Sequence, residues 1–316
     1  MKNFRNSITS VARALLVTTA LLATSSPALP AVADDDLDTE TTEEVSPVGI
    51  DSSGNPLPWQ PDNSEAAGSA DSEDSVPEHK PDSTESAPSS VITGDGRMQL
   101  ADTTSYPNSA IVYITKDGKT HCTGWMISAD TLVTAGHCVY SFEREEWLSG
   151  LEFSPGANGS ERPFETAKAA QTWTDTSWVK KGSPLLDWGV VKLDKQLGER
   201  SGWFGFTWRP GEYKDVKAEL RGYPDDKNPG ELWGMSGTVA VSRGNQLCYS
   251  MDTHSAQSGS PLYMSDEALV IGIHAYGKGP GRFTSRECPS QYNAGTRITK
   301  GLFELFLDLR SRVSTE

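Results

Sequence analysis

Three polar residues able to activate one another stand at intervals along the chain. They are His137 in Thr131-Leu132-Val133-Thr134-Ala135-Gly136-His137-Cys138, Asp187 at the head of the apolar run Trp188-Gly189-Val190-Val191-Lys192-Leu193, and Ser258 in Ser255-Ala256-Gln257-Ser258-Gly259-Ser260-Pro261. A serine hydroxyl is a poor nucleophile at neutral pH. It needs an imidazole to take its proton and a buried carboxylate to hold that imidazole in the productive tautomer. The three segments therefore predict acyl transfer, with His137 as general base, Asp187 as its orienter and Ser258 as the acylated nucleophile.

The elements that must position these groups read as strands. Short runs rich in Val, Ile, Trp and Thr recur at 110–115, 123–127, 131–134, 188–193, 237–241 and 269–274, separated by turn signals such as Lys116-Asp117-Gly118-Lys119 and Pro155-Gly156-Ala157-Asn158-Gly159. The pattern predicts an all-β class built of barrels. The end of the chain differs: Leu302, Leu305, Phe306 and Leu309, with Phe303 beside them, recur at helical spacing and predict a terminal helix over 299–312 docked on the second barrel.

What precedes the strands has another character. Lys2, Arg5 and Arg13 lead into an apolar stretch at 14–23 and a small-residue site at Ala31-Val32-Ala33, which reads as a secretory signal over 1–33 too short to span a bilayer. Residues 34–90 hold 16 Asp or Glu against one Lys, so the net charge of −15 belongs to this leader, and residues 91–316 stand near −3. Such a composition buries too little apolar surface to order itself, and a disordered acidic propeptide is expected there. Absence of a basic stripe or aromatic ladder argues against nucleic acid, and no membrane association is expected once the signal is removed.

All four cysteines fall in the remaining 226 residues. Four cysteines allow three connectivities, and export favours bridges. The reading adopted joins neighbours within each half, Cys122 to Cys138 and Cys248 to Cys288; the first would close a short loop worth about 3 kcal/mol and fix the backbone beside His137. No Cys-x-x-Cys pair or His pair at ligand spacing occurs, so neither a metal nor another cofactor is expected.

The order His137, Asp187, Ser258 is that of the chymotrypsin type of triad. Over residues 91 to about 310 the chain resembles the bacterial V8-type glutamyl endopeptidases. The resemblance rests on Val91-Ile92 with Gln99-Leu100-Ala101-Asp102-Thr103-Thr104, the His137 block, Gly222-Tyr223-Pro224-Asp225-Asp226-Lys227, and Ser258-Gly259-Ser260-Pro261 running on to Val270-Ile271-Gly272-Ile273-His274. It implies two six-stranded antiparallel β-barrels, 91–198 and 199–316 with the terminal helix, and a triad in the cleft between them. It also implies an exported serine endopeptidase made as a zymogen, activated by another protease, and acting on protein or peptide substrates after Glu or Asp. The backbone N–H groups of Ala256 and Ser258 would form the oxyanion hole. His274, Thr253 and the α-amino group of a chain beginning at Val91 would meet the substrate carboxylate, with Tyr276 and Gly277 bordering the pocket.

Two features pull the other way. Asp252, six residues before Ser258, stands where trypsin-like enzymes bind Lys or Arg, which would give a basic preference. Ala256 replaces the glycine of relatives, and a Cβ resists positive φ, which would favour an inactive peptide-binding member of the fold. His254 and His121 read as surface or loop residues.

Overall fold

The computed structural model describes residues 44–61, 74–76, 78–80, 95–278 and 288–312. The signal segment, Val91 and the linking parts of the leader lie outside the described residues. Two large β-sheets follow from the strand runs, and Tyr140–Ser141 with Glu146–Trp147 makes a small two-stranded third among the described residues. In the second, strands Pro261–Met264, Lys217–Gly222, Trp233–Arg243, Gln246–Tyr249, Asn293–Arg297 and Leu269–Tyr276 pair antiparallel in that order, and the first pairs again with the last, closing a six-stranded barrel. Gly205–Trp208 joins its outside by a short parallel pairing to Leu269–Tyr276.

The first sheet runs Leu151–Pro155, Ile111–Lys116, Lys119–Met126, Thr131–Thr134, Gly189–Leu193 and Ala169–Asp175, all antiparallel. Its Leu151–Pro155 end meets the stretch just before Ala169 at Phe153 and Ala167, which exchange N–H···O bonds of 3.0 Å each, and at the hydroxyls of Ser154 and Thr166, 2.8 Å apart. This sheet is not six-stranded as expected but eight-stranded, because Pro47–Asp51 and Pro56–Leu57 of the leader extend it.

The expectation of a disordered leader thus fails for these residues. A second leader piece, Asp74–Val76, pairs with Phe206–Trp208, and the His79 ring stacks on Trp203 at 4.2 Å. The physical reason is local composition: residues 44–61 carry only Glu44 and Asp51 of the 16 acidic groups, and they supply Val45, Ile50, Leu57 and Trp59.

Both cysteine pairs form as read, Cys122–Cys138 and Cys248–Cys288. The terminal helix spans Lys300–Ser311, N-capped by Thr299, and buries Leu302, Phe303, Leu305, Phe306 and Leu309. It does not rest on the second barrel alone. Phe303 and Phe306 meet Phe206 at 5.3 and 5.8 Å, while Phe306 also meets Trp188 of the first sheet at 6.5 Å.

Lys192, fully buried inside an apolar strand, ties that helix down. Its ammonium contacts Asp130 at 3.0 Å and Thr131 Oγ1 at 3.1 Å, and it donates to the carbonyls of Leu309 and Arg312 at the helix end. Those carbonyls have no helical partner of their own, and the helix C-terminus favours a cation. Lys192→Met keeps the volume and removes every donor. It should lower the unfolding free energy by about 3 kcal/mol, with hydrogen exchange rising first in 305–312. Uniform exchange along the chain would refute the tie.

Candidate active site

Loops from both sheets converge on one cleft. His137 sits on the single 3-10 turn Gly136–Cys138 that follows strand Thr131–Thr134, and the Cys138–Cys122 bridge pins the turn to the adjacent strand. Asp187 ends the turn Pro184–Leu186 and is wholly buried. One carboxylate oxygen accepts the His137 backbone N–H at 2.8 Å; the other lies 2.7 Å from His137 Nδ1 and accepts the Tyr276 hydroxyl. Gly136 makes this approach possible, since a Cβ there would lie 2.9 Å from Asp187 Oδ1 and 2.8 Å from Thr174 Oγ1. Burial pulls the His137 pKa down, but the Asp187 charge and hydrogen bond outweigh it, and the net shift is upward from 6.5.

Ser258 lies in the loop between strands Gln246–Tyr249 and Pro261–Met264. Its Oγ donates to Ala275 O at 3.3 Å, and among the described residues no hydrogen bond joins it to His137. The loop is fastened to the first sheet by Thr123, whose N–H donates to Ser258 O and whose hydroxyl donates to Ala256 O, both at 2.9 Å. Ala256 adopts φ +68° and Gly259 φ +88°. Ala256 therefore holds the left-handed geometry despite its Cβ, and neither its N–H nor that of Ser258 donates to another described residue.

His274 is buried on strand Leu269–Tyr276 directly behind this loop, exchanging backbone bonds with Gly259 (2.7 Å) and Ser260 (2.9 Å). Its Nδ1 lies 2.6 Å from the Tyr249 hydroxyl. Burial, with His137 adding to it, pushes its pKa down to about 3, so the ring is neutral at pH 7. Thr253 Oγ1 accepts from Asn293 Nδ2 at 2.9 Å. Tyr276 borders a cleft of about 370 Å³ lined also by His121, His137, Tyr140, Phe142 and Trp178. Gly277 follows the last paired residue of its strand and is exposed.

The Asp252 carboxylate accepts the Gly96 N–H at 3.1 Å and so turns toward the 95–97 segment. His254 is exposed and pairs with Asp225 at 2.7 Å. His121, by contrast, is a half-buried strand residue with Nε2 3.1 Å from Cys138 O. Cys122, His137 and Cys138 are spaced like metal ligands, but the disulfide consumes both sulfurs and leaves a single imidazole.

Sequence reasoning missed Arg97. Its guanidinium, 5% exposed, pairs bidentately with Asp95 and Asp226 and reaches Gln257 Oε1 at 3.4 Å, next to Ser258. Gln257 Oε1 also accepts the His254 N–H at 2.9 Å. The signal was faint: an Asp-Gly-Arg triplet and a distant Asp-Asp-Lys, with nothing local to join them. The Arg97 hydrogen bonds hold the Asp95 and Asp226 carboxyls below their usual range.

Arg97→Met should cost about 2 kcal/mol near neutrality, the scale of hydrogen bonds to charged groups. A depressed carboxyl contributes stability above its unfolded pKa and loses it as pH falls through the folded one. The gap between wild type and variant should therefore shrink from about pH 4 downward. Denaturant titrations with a pH-independent gap would exclude the charge network as its source.

The trypsin family model matches residues 97–296. A glutamyl endopeptidase of Bacillus licheniformis is 34% identical over 222 residues, spanning 68% of this chain and 67% of that protein. An extracellular metalloprotease of Bacillus subtilis is 33% identical over 225 residues, spanning 68% of each. Among solved structures, a Glu endopeptidase in complex with MPD superposes with a TM-score of 0.62 at 26% identity, covering 71% of this chain and 100% of that one. With that domain match, the likeness to the Bacillus protein and the two-sheet fold in agreement, the chain belongs to the trypsin family and is a serine endopeptidase.

Proposed function

We propose that the chain is a secreted glutamyl endopeptidase, made as a zymogen and cleaving after Glu, less readily after Asp. The observation that carries the reading is the shared carboxylate of Asp187, buried and bonded to both nitrogens that His137 offers it. His137 Nε2 takes the proton of Ser258 as Oγ adds to the scissile carbonyl. The Asp187 bond holds the imidazole for that transfer and stabilises the imidazolium it becomes. The Ala256 and Ser258 N–H groups receive the developing oxyanion. His137 then protonates the leaving amine, and water repeats the sequence on the acyl-enzyme. Ser258 first has to leave Ala275 O, and a substrate N–H competing for that carbonyl would release the hydroxyl toward His137.

Acidic preference rests on neutral donors. With the Tyr249 hydroxyl donating to Nδ1, His274 carries its proton on Nε2, and Thr253, already accepting from Asn293, keeps its own proton to give. A carboxylate suits two such donors; an ammonium suits neither. The Gly96 bond to Asp252 weighs against a basic preference, and the left-handed Ala256 weighs against an inactive binder. A Val91 amine freed by an activating protease would add positive charge, which supports the zymogen reading. Export is supported by the signal-like segment over 1–33 and by the likeness to the extracellular metalloprotease of B. subtilis.

The test is a peptide panel differing only at the residue before the scissile bond. Glu should lead, and Ser258→Ala should lose at least about 10⁴-fold in kcat. Thr253→Val should lower kcat/KM for Glu by about 10-fold or more while sparing Leu. A leading Arg substrate would sink the assignment. The acid limb of the kcat/KM profile should lie above pH 6.5, because activity needs neutral His137 and its pKa is raised. Tyr276→Phe removes a competing donor from Asp187, strengthens its hold on the imidazolium and should move that limb further up; an unmoved limb would make Tyr276 merely structural.

A further inference from the structure

We propose that residues 44–61 form a permanent strap, which stays seated on the protease after the chain is cut between it and Asp95 and so becomes a second polypeptide of the mature enzyme. This rests on the zymogen reading for the cut itself and is independent of the acidic preference of the cleft.

The strap is joined to the body as a strand is joined to its own sheet. Pro47–Asp51 pairs with Ala169–Asp175 over five registered positions, from Pro47 opposite Asp175 to Asp51 opposite Gln171. Asp51 then accepts Ser53 N, Asn55 N and Asn55 Nδ2, turning the chain so that Pro56–Leu57 pairs back on the strap. Hydrogen bonds of this kind carry affinity in strand addition, and pockets for side chains carry specificity.

Both sides of the contact are specific. Gly49 faces Trp173, and a Cβ there would run into the indole. Trp59 meets the edge of Trp173 at 5.9 Å, and the Arg312 guanidinium lies 4.6 Å from the Trp59 ring while donating to Gln60 O. At the other end, the buried Asp175 carboxylate serves two masters. One oxygen caps helix Thr176–Lys181 through Ser177 N at 2.7 Å, and the other accepts Ser46 N at 2.9 Å; the Thr176 N–H returns a bond to Ser46 O at 2.8 Å. Loss of the strap would strip Asp175 of a donor, bare Trp173 and open the edge of Ala169–Asp175 to pairing with other chains.

The same helix carries Trp178, whose ring lies 6.1 Å from that of His137. Seating the strap thus braces a wall of the cleft. No strap residue lines that cleft, so a retained strap leaves the cleft open to substrate.

The experiment uses the full chain with Ser258→Ala, which prevents self-digestion, and a site-specific protease sequence placed between Lys80 and Asp95. After cutting, the leader fragment should co-elute with the body at micromolar concentration in native size exclusion, in a 1:1 ratio by mass spectrometry, and part from it in denaturant. Gly49→Val should cut retention at least 10-fold, whereas Ser52→Ala in the exposed turn should not change it. If Gly49→Val fails to fold, Trp59→Ala, at a half-exposed position, should raise the dissociation rate at least 10-fold instead. A wild-type fragment that elutes apart from the body under native conditions, or variants retained as well as wild type, would overturn the proposal.

Discussion

A carboxylate with no access to water sets the terms for the rest of the site. Withdrawing such a group costs several kcal/mol unless donors replace its hydration. Asp187 finds its donors in the His137 backbone, the His137 ring and the Tyr276 hydroxyl. The first two require Gly136 to carry no Cβ, and the third comes from the other sheet. Thr296, again from the second barrel, donates to the Asp187 carbonyl at 3.3 Å. Satisfying one buried anion and docking two barrels are therefore the same physical problem.

The nucleophile loop is governed in a related way. A non-glycine residue in the left-handed region costs about 1–2 kcal/mol, and such strain persists only where neighbours over-determine it. At Ala256 the neighbours are visible: Thr123 holds the carbonyl, Gln257 N donates to His254 O, Ser260 N donates to Gln257 O, and Gly259 packs so closely on Thr123 and Thr134 that a side chain has no room. The strain falls on a residue two before the nucleophile, and its restraints come both from within the loop and from the opposite sheet. Arg97 adds a further restraint by reaching Gln257 from the segment that precedes strand Ile111–Lys116.

Legibility followed sequence distance. The His137 block, the Ser258 loop and the terminal helix were readable because each is a contiguous motif or a regular period, and strands 131–134, 189–193 and 269–276 were readable because their apolar runs are dense. Strands such as Lys217–Gly222 and Ala169–Asp175 were not, since Lys, Glu, Arg, Gln and Thr break their alternation. Lys192 was absorbed into an apolar run although its ammonium anchors a helix 117 residues away. Arg97 and the strap failed for the same reason: no local pattern specifies a partner more than a hundred residues distant. In the leader, averaging over 57 residues also hid 18 that carry two charges and a tryptophan.

On the proposed reading, the neutrality of His274 shapes how selectivity depends on pH. A cationic pocket would bind Glu by charge and would lose its grip as the cation titrated. Here the ring titrates at about 3, below the ordinary Glu value of about 4.3, so the substrate becomes neutral before the pocket becomes charged. Between that point and alkaline pH the His274–Tyr249 pair holds one protonation state, because burial also raises the Tyr249 hydroxyl well above its usual value, and a freed Val91 amine would be the titrating cation beside it. Discrimination by that pair then comes from hydrogen-bond geometry in a buried wall. Such a wall penalises a substrate that leaves its donors unpaired more than it rewards one of opposite charge. The strand bonds between His274 and the Gly259-Ser260 backbone keep that wall in register with the nucleophile, so specificity and catalysis share one piece of β-sheet.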